Sequence, residues 1–429
     1  MKKVLIITYY WPPSGGAGVQ RWLKMSKYLP EFGIEPIIIT VDPNYASYPQ
    51  IDQSLLKEIS PTIRVLKTKT REPFGLYKKL LRKKLPSGGF SESSKKTAMD
   101  KILRFLRSNF FIPDPRKGWN YYAFKEAERI ISSEEIVAVI TTSPPHSTQL
   151  VGLRLKKKYN LPWIADLRDP WTDIYYYQEL YHSKLSRSID LKWEQKVILA
   201  ADKICVVSEA IKKLFADKHK VDKICVVPNG FDEADFTGIN VPESGLFSVL
   251  YVGTTSDKYE IPKFLVAFKK CLAAGLTNLR IEFTGIISSD IKRFIEENML
   301  WDFVKINQYK PHREAVADML KADMLLLSIP NQKNNEGILT GKLFEYLATR
   351  NLILGIGPPA GDAASILTAC NAGKMFEYTD AEGIGDFIAG AYVKKEKGLL
   401  LRNDSEEVTK FSRKYQAKQI SEVIEECVA

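Results

Sequence analysis

Short apolar runs alternate with longer stretches of helical periodicity along this chain, and the alternation stops and restarts once. Val4 to Thr8, Glu35 to Val41, Ile63 to Lys67, Val137 to Thr142, Trp163 to Leu167, Lys203 to Val207 and Ile224 to Val227 read as strands, separated by helical stretches such as Gly18 to Phe32 and Ser147 to Tyr159. Runs that are apolar on both faces and spaced by helices demand a parallel sheet covered on both sides. A segment rich in Pro, Gly, Asp and Glu follows from Pro228 to Gly245. The alternation then resumes with Phe247 to Val252, Leu279 to Thr284, Phe303 to Asn307, Met324 to Ile329 and Leu352 to Ile356. The pattern predicts an α/β protein of two doubly wound units, 1–240 and 246–395, with ligands at the carboxyl ends of the strands in the cleft where the units face each other. A last segment, 396–429, has helical periodicity from Ser405 to Val428 and is expected to pack back on the first unit.

With 429 residues, 45% of them hydrophobic, the chain can bury two cores. Cys205, Cys225, Cys271, Cys370 and Cys427 form no C-x-x-C pair, which fits reduced thiols in the cytoplasm and no structural zinc. The amino-terminal apolar run is too short for a signal peptide and leads into a proline-glycine loop. No stretch approaches the roughly 20 apolar residues that span a bilayer. The net charge of +11 is concentrated: Arg64 to Arg107 holds fourteen Lys and Arg against three acids, which equals the whole imbalance. Phe74, Leu76, Tyr77, Leu80, Leu81 and Leu85, then Ile102, Leu103, Phe105, Leu106, Phe110 and Phe111, interleave with these bases. Segment 64–111 thus has the composition of an interfacial element facing anionic lipid at the inner face of a membrane; a solvated basic helix face is the plainer alternative, and nucleic acid is not expected because no binding motif accompanies the charge.

The most telling local motif is Thr340-Gly341-Lys342-Leu343-Phe344-Glu345-Tyr346-Leu347-Ala348. It follows a buried strand, Asp323 to Ile329, and a loop, Pro330 to Leu339, so a helix starts at the ligand edge of a sheet. Its unpaired amides and positive dipole end favour a phosphate, and Glu345 near the first turn suits the two hydroxyls of a ribose. In the plain reading Glu345 only complements the helix dipole and Lys342 is solvated.

Two stretches are similar to a known family. Val226-Val227-Pro228-Asn229-Gly230-Phe231-Asp232, with Phe236, resembles the interdomain signature of retaining glycosyltransferases of family 4, and Gly341-Lys342-Leu343-Phe344-Glu345-Tyr346 resembles their donor-binding helix start. The resemblance covers nearly the whole chain. It implies the GT-B fold, a nucleotide-diphosphate sugar (UDP or GDP) held by the second domain as substrate, a lipid-linked or oligosaccharide acceptor held by the first, retention of anomeric configuration, and no cofactor or required metal. Bacterial members of this kind build capsule, lipopolysaccharide or other surface glycans. Glu345 matches the second glutamate of the family's pair. The first would fall at Gly337, whereas the carboxylate stands one place earlier at Glu336, so amides from Gly337 to Thr340 are expected to meet the sugar. Gly341, Lys342 and Leu343 would meet the diphosphate. After the first strand of the second domain the family's usual arginine is replaced by Thr254, leaving Lys258, with Arg21 or Lys342 as compensating cations.

In the first domain, Tyr10-Trp11-Pro12-Pro13-Ser14-Gly15-Gly16-Ala17-Gly18 comes close to a dinucleotide fingerprint, with Asp42 after the second strand. Arg21, however, occupies the place of its third small residue, so Gly15 and Gly16 are better read as a close backbone approach to the donor phosphate; an ordinary turn is the alternative. Asp166-Leu167-Arg168-Asp169-Pro170-Trp171 delivers charges and an aromatic to a strand end. By the resemblance, Asp169 is the expected catalytic residue, beside the donor anomeric carbon or the acceptor hydroxyl, with Arg168, Trp171 and His146 beside the acceptor. A structural Arg168–Asp169 ion pair and an ordinary helix-start histidine are the alternatives. No His/Asp spacing suggests a metal site or hydrolase triad. Two other functions remain open: a non-catalytic nucleotide-sugar or glycan-binding protein, and an epimerase on the same scaffold.

Overall fold

The computed structural model describes residues 1–72, 98–174, 177–239, 245–400 and 402–429. Lys78, Lys79, Arg82, Lys83 and Lys84 of the basic segment lie outside them. Contacts divide the chain into one unit of residues 1–228 and 413–429 and another of 229–412.

The first unit is a seven-stranded parallel sheet of β1 (Lys2–Ile7), β2 (Ile34–Val41), β3 (Arg64–Thr68), β4 (Ala138–Ser143), β5 (Trp163–Leu167), β6 (Lys203–Val206) and β7 (Ile224–Val226), in the order β3-β2-β1-β4-β5-β6-β7. Alternation along β1 feeds two cores. Leu5 and Ile7 pack with Trp119 and Phe124 on one face, and Val4 and Ile6 with Val19, Trp22 and Leu23 on the other. Strand order reverses between β1 and β4, so the loops leaving these two strands flank the switch point. The helix expected over Gly18 to Phe32 is Ala17–Tyr28, continued as a 3₁₀ turn over Leu29–Phe32, because Pro30 has no N–H with which to extend the α-helical ladder.

The second unit has six parallel strands: β8 (Phe247–Val252), β9 (Leu279–Thr284), β10 (Val304–Asn307), β11 (Met324–Ser328), β12 (Leu352–Ile356) and β13 (Gly373–Phe376), in the order β10-β9-β8-β11-β12-β13. Its switch point lies between β8 and β11. β13 has no counterpart in the sequence reading, since Gly-Lys-Met-Phe carries no apolar run, and its pairing with β12 decides it. Both sheets have the doubly wound form read from the sequence.

Two boundaries differ from the sequence reading. The first unit ends at Pro228 rather than at 240, and the last segment is split at 412. Val408 is fully buried in the second unit's core, while the helix Arg413–Val428 packs Ala417, Ile420 and Ile424 against the Val19, Trp22 and Leu23 cluster of the first. Periodicity is continuous across that split, so only burial locates it.

Candidate functional site

The second unit presents the helix Gly341–Thr349 at the switch point of its sheet. Thr340, in extended conformation, is its N-cap, yet its hydroxyl caps nothing: Thr340 Oγ1 is buried and without a hydrogen-bond partner. The Leu343 amide is taken by the Thr340 carbonyl at 3.2 Å, and the Leu343 side chain is fully buried. Leu343 is therefore a core residue of the helix start and not the amide donor expected from the sequence. The amides of Gly341 and Lys342 are among the helix's orphan donors. Gly341 is exposed, and a Cβ there would meet nothing within 4 Å.

Lys342 turns back over the end of β8. Its Nζ donates to the Tyr251 hydroxyl at 2.8 Å and lies 4.4 Å from the Tyr251 ring centroid and 5.4 Å from that of Tyr259. A Cβ on Gly253 would come within 3.0 Å of the ammonium, and Gly253 has φ 125°. Glycine is required there twice over, for its backbone and for the lysine's seat. Burial pushes the Lys342 pKa down to about 8, with Glu345 opposing. No carboxylate among the described residues pairs with it. Two aromatic faces and a phenol stabilise a cation less than an anion does, so this ammonium is held ready for a counter-charge.

One turn on, Glu345 is half-buried, and its Oε1 lies 3.1 Å from His312 Nε2, at the start of the helix His312–Lys321. Glu336 is exposed, and its carbonyl accepts from the Asp362 amide at 2.8 Å. The Pro330 to Leu339 loop is built by Asn335, which donates to the Pro330 carbonyl at 3.1 Å and to the Tyr378 hydroxyl at 2.9 Å, leaving Gly337 half-buried beside it. The Lys258 carbonyl accepts from Asn331 at 2.7 Å, tying its 3₁₀ turn to the same loop.

The first unit uses its charges differently. Arg21 is fully buried: Nη2 meets Asp166 Oδ1 at 2.9 Å, Nε meets Oδ2 at 3.2 Å, and Nη1 donates to the Pro228 carbonyl at 2.9 Å. Asp166 also accepts from Trp22 Nε1 at 2.8 Å and Thr142 Oγ1 at 2.7 Å. Arg21 is thus a core ion-pair residue, and the sequence expectation that it compensates a diphosphate is corrected by its burial. Gly15 donates to the Gln50 carbonyl at 3.0 Å, and a Cβ there would crowd Gln50 and Asp52 at 3.1 and 3.2 Å. Its lack of a side chain is explained by that neighbouring segment. Gly16, exposed with φ 91°, is the residue that opens the helix Ala17–Tyr28.

Arg168 does not pair with Asp169. Its Nε donates to the Ser143 carbonyl at 2.8 Å and its Nη1 to that of Gly18 at 3.1 Å, clamping the ends of β4 and of the glycine loop together across the switch point. Burial lowers its pKa, against the pull of Asp169. Trp171 is buried, donates its indole N–H to Asp190 at 2.9 Å, and stacks on His146 with centroids 4.8 Å apart. Arg168 and Trp171 are therefore framework rather than acceptor contacts. The groups left over are Asp169, half-buried with no side-chain hydrogen bond or ion pair to a described residue, and His146, whose Nδ1 is buried without a partner. Burial holds His146 below the usual histidine pKa, with Asp169 opposing.

Tyr251, Tyr259, His312 and the hydroxyl of Thr340 escaped the sequence reading. Tyr251 sits in an apolar run and reads as core, and its contact with Lys342 joins positions 91 residues apart. Among the described residues no group of three or more His, Cys, Asp or Glu is placed to hold a metal, and no helix is long and apolar enough to cross a membrane.

Residues 86–235 match the sequence profile of Glycosyltransferase Family 4. No curated protein matches the chain by sequence. Among solved structures, sucrose-phosphate synthase of Thermosynechococcus elongatus is similar at 14% identity over 99% of both chains, with a TM-score of 0.62. Anabaena HepE, solved with UDP-glucose, is 12% identical over 99% of this chain and 100% of its own, TM-score 0.59. A TarM variant from S. aureus, solved with UDP, is 12% identical over the same shares, TM-score 0.57. The fold is GT-B.

Proposed function

We propose that the protein is a retaining, metal-independent glycosyltransferase, cytoplasmic and attached peripherally to the inner face of the cell membrane, that moves a sugar from UDP or GDP to a lipid-linked or growing surface glycan. The observation that carries this reading is the Lys342 ammonium, held without a carboxylate partner among the described residues beside the orphan amides of a helix start. A diphosphate there accepts from the Gly341 and Lys342 amides and the idle Thr340 hydroxyl, while Lys342 supplies the charge that stabilises the departing diphosphate. Lys258 is the second cation. Glu345 exchanges His312 for the two ribose hydroxyls, and the backbone from Gly337 to Thr340 takes the contacts that the displaced Glu336 leaves.

On the first unit, Gly16 offers its backbone to the donor, and Asp169 and His146, whose side chains keep hydrogen-bonding capacity in reserve, serve the reacting centre and the acceptor hydroxyl. The UDP and UDP-glucose in the TarM and HepE structures support a nucleotide-sugar donor. Membrane attachment through segment 64–111 is supported by its charge and aromatic content.

A panel of UDP and GDP sugars tests the reading. Nucleotide release that depends on a lipid-linked or oligosaccharide acceptor and survives EDTA is expected. The displaced glutamate and the threonine at 254 favour a second reading, a binding protein, which donor binding without turnover would establish; an isomerised sugar nucleotide would instead reveal an epimerase.

A further inference from the structure

The first unit carries an exposed face that neither the core nor the proposed chemistry uses. The helix Lys184–Ala200 contains two acids, Asp190 and Glu194, and both are buried. Asp190 accepts from Trp171 and from the Tyr177 hydroxyl at 2.8 Å, and Glu194 accepts from the Thr172 amide and hydroxyl at 2.9 and 2.7 Å and contacts His219 at 2.9 Å. All four of its bases, Lys184, Arg187, Lys192 and Lys196, are exposed, and none forms an ion pair with a described residue. Leu185, Ile189 and Leu199 are 71%, 37% and 53% exposed on this one helix. At spacings of four, three, four and three, Leu185, Ile189, Lys192, Lys196 and Leu199 form one stripe of the helix.

A second helix continues this surface. Asn109, near the end of Ala98–Phe110, donates to the Tyr181 carbonyl at 3.1 Å and accepts from the Ser183 amide at 2.8 Å, which joins the two helices at their ends. On its side of that junction Phe105, Leu106 and Phe110 are exposed, and on the other Tyr181 is exposed just before Leu185. Aromatic and aliphatic side chains mixed with unpaired bases, with the acids withdrawn inward, suit an interface that is apolar in depth and negative at its surface.

We infer that the helix Lys184–Ala200, with Tyr181 and the exposed side of Ala98–Phe110, is a docking surface for an anionic lipid bilayer. Leu185, Ile189, Phe105 and Phe110 enter the acyl boundary, and Lys184, Arg187, Lys192 and Lys196 meet the head groups. The inference deepens the proposed membrane attachment and rests on it, but to the end of the basic segment, Phe105 to Phe110, it adds the helix Lys184–Ala200, which lies outside that segment. It places a folded, two-helix face against the lipid, so the first unit has a fixed orientation on the membrane.

Co-sedimentation of the full chain with phosphatidylcholine vesicles, with and without phosphatidylglycerol, tests it. Binding is expected only with the anionic lipid and to weaken with salt. The Leu185→Glu, Ile189→Glu double variant should bind at least about tenfold more weakly while its turnover of a soluble donor and acceptor is unchanged. The Lys192→Ser, Lys196→Ser variant, which leaves Leu185 and Ile189 in place, should bind more weakly and with a shallower salt dependence, and it keeps the test open if the first variant folds poorly. Unchanged binding by both, equal binding to neutral vesicles, or a wild-type dimer that the double variant abolishes would each overturn the assignment. Loss of turnover with vesicle binding intact would count against the proposed transfer and leave this surface standing.

Discussion

Two sheets of the same topology treat the cation near their switch point in opposite ways. In the first unit Arg21 is enclosed, matched to Asp166 by two hydrogen bonds and to a carbonyl by a third, and its charge is spent on structure. In the second, Lys342 is seated against Tyr251 and Tyr259 and pairs with no described carboxylate. A basic residue at a strand edge therefore says little by itself. Whether its counter-charge is already inside the protein is what separates a scaffold cation from a ligand cation.

The largest effect that could break this contrast is on stability. Arg21→Met strands a buried carboxylate and should cost about 3–5 kcal/mol in urea denaturation. A wild-type midpoint together with a raised donor KM would show that the assignment of the two cations is reversed. Lys342→Met should do the opposite, leaving the midpoint unchanged or higher while raising the donor KM roughly ten- to hundredfold, as loss of about 1.5–3 kcal/mol of charged hydrogen bonding requires. Glu345→Ala is expected to raise the donor KM by about tenfold, and His312→Ala, which frees the carboxylate, should leave it equal or lower. Equal losses in both variants would make the His312–Glu345 contact part of the binding site rather than its resting partner.

The most specific effect is on pH dependence. The pKa of Lys342 is about 8 in the folded protein against an ordinary 10.5, so between these values the unfolded chain binds more protons than the folded one. Stability from this group therefore rises with pH across that window, while affinity for a diphosphate falls as pH passes about 8. The two trends have opposite sign, and Lys342→Met should abolish both; calorimetric titration of UDP at several pH values, beside denaturation at the same values, would read them.

Much of this was legible in the residues. Apolar runs such as Met324 to Ile329 announce a buried parallel strand, and Gly341-Lys342-Leu343-Phe344-Glu345 announces a helix start at a ligand edge, because both signals are local and periodic. β13 was not legible, since its four residues have no pattern of their own and take strand form from β12. Asp169 and Arg168 are adjacent in sequence, which left an ion pair as the alternative reading, yet Arg168 reaches Ser143 and Gly18 instead. Sequence proximity of charges does not fix their partners when carbonyls from other elements converge nearer.

The sequence by itself determined the two parallel sheets, their order of elements and the glycine-opened helix at the second sheet's edge, because period and turn chemistry depend on residues within a few positions of one another. Only the tertiary structure decided which charges are free. Arg21 finds Asp166 across 145 positions and Lys342 finds Tyr251 across 91, and the self-energy of a buried charge depends on what surrounds it in space, which no local pattern encodes.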